Sequence, residues 1–333
     1  MYLKGKHIPT NILFLLSLLL LMILTTGCLE KEMPIEPHSS GETKTSQVIL
    51  GSDYGSQIYY NLSTNSVVNS NETIVWDIAF KVNENNISAI LNSSRIVTLA
   101  HTNISDYNSP LTEDYINGLE FIHDESQGPN WGTAIGDIYD GSDLTILNLG
   151  VDINNQQLGL RRLQIDSVND QGYFLTYGDI DLTYKSSILI PRSNEIEWLH
   201  LSILNGTIDN LEPKIGEWDL YFTKYIELLD DAYYYPVVGV LSLPEGMEVL
   251  DAPELSWDQL LVADWDTLEF STAWNEIGYD WKAYDFESKE YSIDNERCFA
   301  IRTPDGKEFV LRFIDFYDQM GNIGTITLES VER

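Results

Sequence analysis

Two cysteines, Cys28 and Cys298, bound the thiol chemistry open to this 333-residue chain. Cys28 ends the run Leu24-Thr25-Thr26-Gly27-Cys28, so a small residue precedes the thiol directly after an apolar stretch. A thiol in that place reads as the lipid-bearing first residue of a mature bacterial lipoprotein. Leu24 stands one position upstream of the strict Leu-small-small-Cys spacing. With Cys28 acylated, Cys298 has no partner for an intramolecular disulfide. Within Arg297-Cys298-Phe299-Ala300-Ile301 it is expected to pack as a small buried hydrophobe. A reactive thiol would need an accessible, electropositive setting. Hydrolytic chemistry finds no motif: there is no Gly-x-Ser-x-Gly elbow, no His-Glu-x-x-His helix and no phosphate-cradling glycine loop. The 52 acidic residues could be paired on paper into a glycosidase site, yet nothing selects a pair. Asp137, Asp140 and Asp143 surround Gly141 without the spacing of a calcium loop and read as a solvated turn. The chain is therefore expected not to be an enzyme.

The segments that must deliver and carry these residues come next. Lys4, Lys6 and His7 form a basic start, and Ile12 to Leu24 is an apolar run of thirteen residues broken only by Ser17. A membrane span needs roughly 20. Residues 1–27 thus read as a lipoprotein signal peptide, which places the protein outside the cytoplasm. Residues 28–46 are rich in Glu, Pro, Ser and Gly and read as a flexible acidic tether. Acids just after a lipidated cysteine resemble the export tag of some surface lipoproteins, so the outer membrane and the cell surface are the expected location. Removing residues 1–27 removes two lysines and no acids, which takes the formal charge from −33 to −35. Such a body is repelled by nucleic acid, whose recognition needs Lys and Arg on phosphates. Its membrane contact is expected to run through the acyl chains alone.

Residues 47–333 carry the periodicity of an all-β body, mainly antiparallel sheets in a sandwich or meander with few short helices. Ile74, Trp76, Ile78 and Phe80 alternate with Val75, Asp77, Ala79 and Lys81, and the pattern predicts a strand. Trp218-Asp219-Leu220-Tyr221-Phe222 repeats that pattern, 142 residues later. The repeat is open to two readings: two similar strands, or two related halves at about 47–205 and 206–333. Residues 173–190 and 195–204 read as further strands, with Pro191 and Asn205-Gly206 as breaks. Arg297–Thr303 and Glu308–Tyr317 flank Pro304-Asp305-Gly306 as a hairpin, and Thr325–Val331 follows as a last strand. Ser256 is positioned to cap a two-turn helix.

The order of these segments resembles the HmuY family of haem-binding lipoproteins. The pieces that carry the resemblance are Tyr59-Tyr60-Asn61-Leu62-Ser63 with Trp76-Asp77-Ile78-Ala79-Phe80, then Trp218-Asp219-Leu220-Tyr221-Phe222. Ile277-Gly278-Tyr279-Asp280-Trp281-Lys282 follows, then Asp305-Gly306 ahead of Leu311-Arg312-Phe313-Ile314-Asp315-Phe316-Tyr317, and finally Gly324-Thr325-Ile326-Thr327. The likeness is densest over 214–333 and 47–95, while about 100–210 has no counterpart. The resemblance implies a compact all-β body, haem as ligand, and an outer-membrane transporter as partner. It also implies axial histidines or methionines, one histidine following a Phe-Ser pair. Here Phe270-Ser271 is followed by Thr272-Ala273-Trp274, so that histidine is missing.

Haem iron takes an axial His, Met, Cys or Tyr in an apolar slot. With Met33 and His38 set aside in the tether, the haem-ligand candidates are His101, His123, His200 and Met247. His101 ends the run Ile96–Ala100 and His123 ends Leu119–Ile122, both where strands pass into loops. His200 alternates with Trp198 and Ser202 as a sheet-face residue, and Met247 sits in the loop Pro244-Glu245-Gly246-Met247. The alternative is a surface carbohydrate-binding or adhesion lipoprotein on the same scaffold, with Trp131, Trp265 and Trp274 as exposed stacking faces.

Overall fold

The computed structural model describes residues 41–83, 87–124, 132–138, 142–229 and 233–333. The signal peptide, Cys28, Trp131 and Asp140 lie outside them. The chain opens with β1 (Lys44–Ile49), β2 (Ser56–Asn61), β3 (Ser66–Glu72), β4 (Ile78–Lys81), β5 (Ala89–Leu91) and β6 (Thr98–His101). After helix α1 (Glu113–Asn117) come β7 (Thr145–Asn148), β8 (Leu160–Asn169), β9 (Gly172–Asp179) and β10 (Lys185–Pro191). Next are β11 (Trp198–Ser202), β12 (Thr207–Asp209), β13 (Leu220–Leu229), β14 (Tyr233–Leu241) and β15 (Glu248–Asp251). Helix α2 (Trp257–Val262) precedes β16 (Lys282–Asp285) and β17 (Glu290–Ile293), and β18 (Cys298–Arg302), β19 (Glu308–Tyr317) and β20 (Ile323–Glu332) close the chain. The first strand begins at Lys44, three residues inside the segment read as tether.

Strand pairing within the named sheets is antiparallel, in the orders β10-β9-β8-β7-β6, β12-β11-β4-β5, β14-β13-β2-β3 and β1-β20-β19-β18-β15, with β16-β17 as a separate hairpin. These four sheets stack as layers in that order. Phe80, Leu201, Leu163 and Tyr173 fill the space between the first two. Leu220, Phe222, Phe309 and Leu328 fill the space between the last two. The two middle sheets face each other across a seam of Trp76, Trp198, Trp218, Trp274, Tyr59 and Tyr221. Middle layers are covered on both sides, so β4, β11 and the first half of β13 are buried residue after residue.

Strands β1 and β2 pair with β20 and β13, beyond residue 205, so the sheets do not divide at 205/206. The β4–β12 sandwich is set into the sequence between β3 and β13 of the other.

The sequence-predicted strand over Ile74–Lys81 is half wrong. Thr73–Val75 is a 3-10 turn and only Ile78–Lys81 pairs. Side chains take the free carbonyls here: Asn92 Nδ2 donates to Thr73 and Trp76, and Arg95 Nη1 donates to Ile74 and Trp76. The Trp-Asp pair does the same work in both copies. Asp77 N–H donates to Leu201 O while its Oδ2 accepts from Leu204 N–H at 3.1 Å. Asp219 N–H donates to Tyr60 O while its Oδ2 accepts from Leu62 N–H at 2.7 Å. Each aspartate therefore ties down the chain just past a neighbouring strand.

The expected hairpin, with Gly306 at φ +83°, joins β18 to β19, and Ser256 and Gln259 form a reciprocal capping box on α2. Cys298 is fully buried and its thiol is pushed up to about 11 by burial, in keeping with a packing role.

Candidate functional site

The four ligand candidates occupy four different surroundings. His200, on β11, is almost fully buried and meets Trp76 edge to face at 4.9 Å. It lines a cavity of about 40 Å³ in the tryptophan seam. Burial drops the imidazole to about 3, so it stays neutral, and its Nδ1 has no hydrogen-bond partner. Glu212 lines the same cavity, its carboxylate accepting from the N–H groups of Glu197 and Trp198; burial lifts it to about 8. Ligand pockets run from about 300 to 1,000 Å³. The seam cavity has room for little more than one water, whose share of liquid volume is about 30 Å³.

Met247 lies in the turn before β15, as expected. It is 3% exposed and packs in the core between the last two sheets. His123 is half-buried, packs against Tyr234 at 4.9 Å between ring centroids, and has an unpartnered Nδ1. Burial lowers its pKa.

His101 differs from the rest. It is the last residue of β6, and its ring is exposed. It lines a cavity of about 290 Å³ with Ile135, Ile138, Ile165, Asp137 and Asp143. Its Nε2 lies 2.9 Å from Ala134 O. A carbonyl can only accept, so Nε2 carries the proton and Nδ1 carries the lone pair. Ala134 is held in turn: its N–H donates to Asp124 Oδ1 at 2.7 Å, while Asp124 Oδ2 accepts from Leu91 N–H at 2.6 Å. Burial lifts Asp124 to about 7. Asp137 and Asp143, on either side of the segment read as a solvated turn, line the His101 cavity. No cluster of three or more His, Cys, Asp or Glu suited to a metal ion occurs among the described residues.

A family model described as HmuY protein matches residues 53–329. The chain belongs to the HmuY family. No curated protein matches. Among solved structures, apo PinO from Porphyromonas gingivitis shares 10% identity, over 87% of this chain and 97% of that one, with a TM-score of 0.26. The apo HmuY analog (TFO) of Tannerella forsythia shares 9%, over 89% and 98%, with a TM-score of 0.25. A Bacteroides vulgatus protein described as HmuY-like and haem-binding shares 13%, over 40% and 84%, with a TM-score of 0.25.

In this HmuY-family chain, the position after Phe270-Ser271 holds exposed Thr272. Phe270 lies against Trp265 at 5.6 Å with the Arg302 guanidinium over its ring at 4.6 Å. Of the tryptophans expected as stacking faces, Trp131 lies outside the described residues, Trp265 is 2% exposed, and Trp274 packs against Trp198 in the seam. Exposed aromatics among the described residues include Tyr233, Tyr234 and Tyr235 on β14 and Tyr284 and Phe286 at the β16–β17 hairpin. Asp124, Ala134 and Glu212 escaped sequence reasoning. Nothing in the spacing of 52 acids marks the few whose oxygens are claimed by distant N–H groups.

Proposed function

We propose that this HmuY-family chain is an exported lipoprotein, anchored through acylated Cys28 at the outer membrane, that binds haem at His101 and passes it to an outer-membrane transporter. It is a binding protein rather than an enzyme. The observation that carries the site is the His101 cavity: an exposed imidazole with one nitrogen engaged by a backbone carbonyl and the other left basic. That is the arrangement by which protein-bound iron usually holds a histidine. Ile135, Ile138 and Ile165 supply apolar walls. At about 290 Å³ the cavity sits at the lower edge of ligand pockets, so part of a haem would stand in solvent. Asp137 and Asp143 repel the anionic propionates and favour having that edge outermost. No second His, Met, Cys or Tyr lines the cavity among the described residues.

A single histidine ligand leaves ferric haem five-coordinate or completed by water, and therefore high-spin. Electron paramagnetic resonance of the ferric complex tests this. The high-spin signal is expected; a purely low-spin, two-ligand signal would contradict a site built on His101 alone.

A second reading rests on the exposed tyrosines and Phe286. Aromatic faces open to solvent suit stacking on sugars, and a carbohydrate-binding surface lipoprotein would use them. Glycan binding that is lost in Tyr233→Ala and Tyr235→Ala, without any haem binding, would favour it.

A further inference from the structure

We infer that Asp124 is a positioning residue: by fixing the backbone of Ala134 it sets the tautomer of His101 and so determines which ring nitrogen faces a ligand. The inference goes beyond His101 itself, and only its final step rests on the proposed haem site.

The geometry is a relay across three residues. Asp124 is 4% exposed, and both its oxygens are taken, one by Leu91 N–H of β5 and one by Ala134 N–H. The carboxyl thus joins the edge of the second sheet to the wall of the His101 cavity. The stretch just before it is fixed too, because Leu99 and Ile122 exchange N–H and C=O bonds across an antiparallel bridge beside β6. Asp124 is therefore anchored on both sides, and Ala134, itself buried, can take only one placement against it. The Asp124 bond holds Ala134 at its N–H and so limits where the same residue's C=O, in the next peptide group, can point. That carbonyl is the one facing His101 Nε2. A free imidazole exchanges between tautomers; here the proton is held on Nε2 and Nδ1 is left to bind. Without Asp124, the Ala134 carbonyl loses its fixed direction and the ring loses its preference.

The test is nitrogen-15 NMR of the haem-free, full-length protein with labelled histidine, His101 being assigned by its loss in His101→Gln. The expected result is an Nε2–H tautomer at His101 in the wild type and a mixed or reversed one in Asp124→Asn. In haem titrations the same variant is expected to bind about 10-fold or more weakly, the usual range for losing an outer partner of a ligating histidine being about 10–100-fold. An Nδ1–H tautomer in the wild type would overturn the inference, as would an unchanged His101 in a folded Asp124→Asn. Should Asp124→Asn fail to fold, Asp124→Glu, which keeps the carboxylate but displaces it, takes its place, and an unchanged His101 tautomer there would overturn the inference. If the tautomer shifts as expected but neither protein binds haem, the relay stands and the haem assignment falls. If haem binds through His101 and Asp124→Asn changes neither tautomer nor affinity, the assignment stands and the relay falls.

Discussion

At the scale of single residues, burial sorts the candidates. Imidazoles with identical chemistry differ because His200 is enclosed by indoles while His101 keeps one nitrogen in reach of solvent. The sequence placed His101 correctly at a strand end, whereas the run expected to lead into His123 as a strand makes only an isolated bridge at Ile122. It could not show which faces would be covered twice, because that depends on sheets stacked from distant segments. The buried ionisable groups make a pH prediction. Glu212 and Asp124 hold their protons more tightly folded than unfolded, so their contribution is complete in acid and is lost as pH climbs through about 8 and about 7. His200 has the opposite sign: held neutral when folded, it costs stability only as pH falls below its unfolded value of 6.5. On acidifying from pH ~8.5 to ~6.5 the Glu212 and Asp124 carboxyls are expected to raise Tm, against Lys282, which burial lowers to about 7 and which pulls the other way. Glu212→Gln should flatten that rise and His200→Gln should not. Thermal melts across this interval check it; equal slopes for wild type and Glu212→Gln would contradict it.

At the scale of elements, what held was what local chemistry alone decides. Asp305-Gly306 makes its hairpin and Ser256 caps its helix, because turn and cap residues act within a few positions. The Trp76 segment departed from its alternation because Arg95 and Asn92, about twenty positions on, capture its carbonyls. Arg95 also forms a buried ion pair with Asp77 at 2.7 Å. Its own carbonyl lies 1.9 Å from where a Cβ on Gly150 would stand, and Gly150 has φ +67°. Arg95→Ala would leave the Asp77 charge buried without its partner, which costs about 3–5 kcal/mol. Urea denaturation measures this directly, and a loss below about 1 kcal/mol would show the pair to be incidental. Gly150→Ala is expected to destabilise as well, since both its backbone angle and the Arg95 carbonyl oppose a side chain.

At the scale of the whole molecule, one sandwich sits within the chain of another. Segments 47–72 and 214–333, where the HmuY resemblance is densest apart from the Trp76 strand, build the outer sandwich, and the unmatched 100–210 builds most of the inner one. An insertion of this kind leaves no periodicity of its own, so the Trp-Asp repeat left open whether the chain holds two halves in tandem, while the sheets are nested. The His101 cavity belongs to the inner sandwich, away from the position where the family pattern carries its histidine. Export follows a separate logic. Cys28→Ala is expected to abolish fatty-acyl labelling and to shift the protein from the detergent phase to the aqueous phase; retention in the detergent phase would contradict a lipid anchor at that residue.

The measurement that bears most directly on the whole account is a haem titration of the intact protein, read at the Soret band, with His101→Ala, His123→Ala and His200→Gln run beside the wild type. One haem per chain is expected, with a shifted band lost in His101→Ala and kept in the other two. A spectrum that merely sums protein and free haem, or a band indifferent to His101, would contradict it.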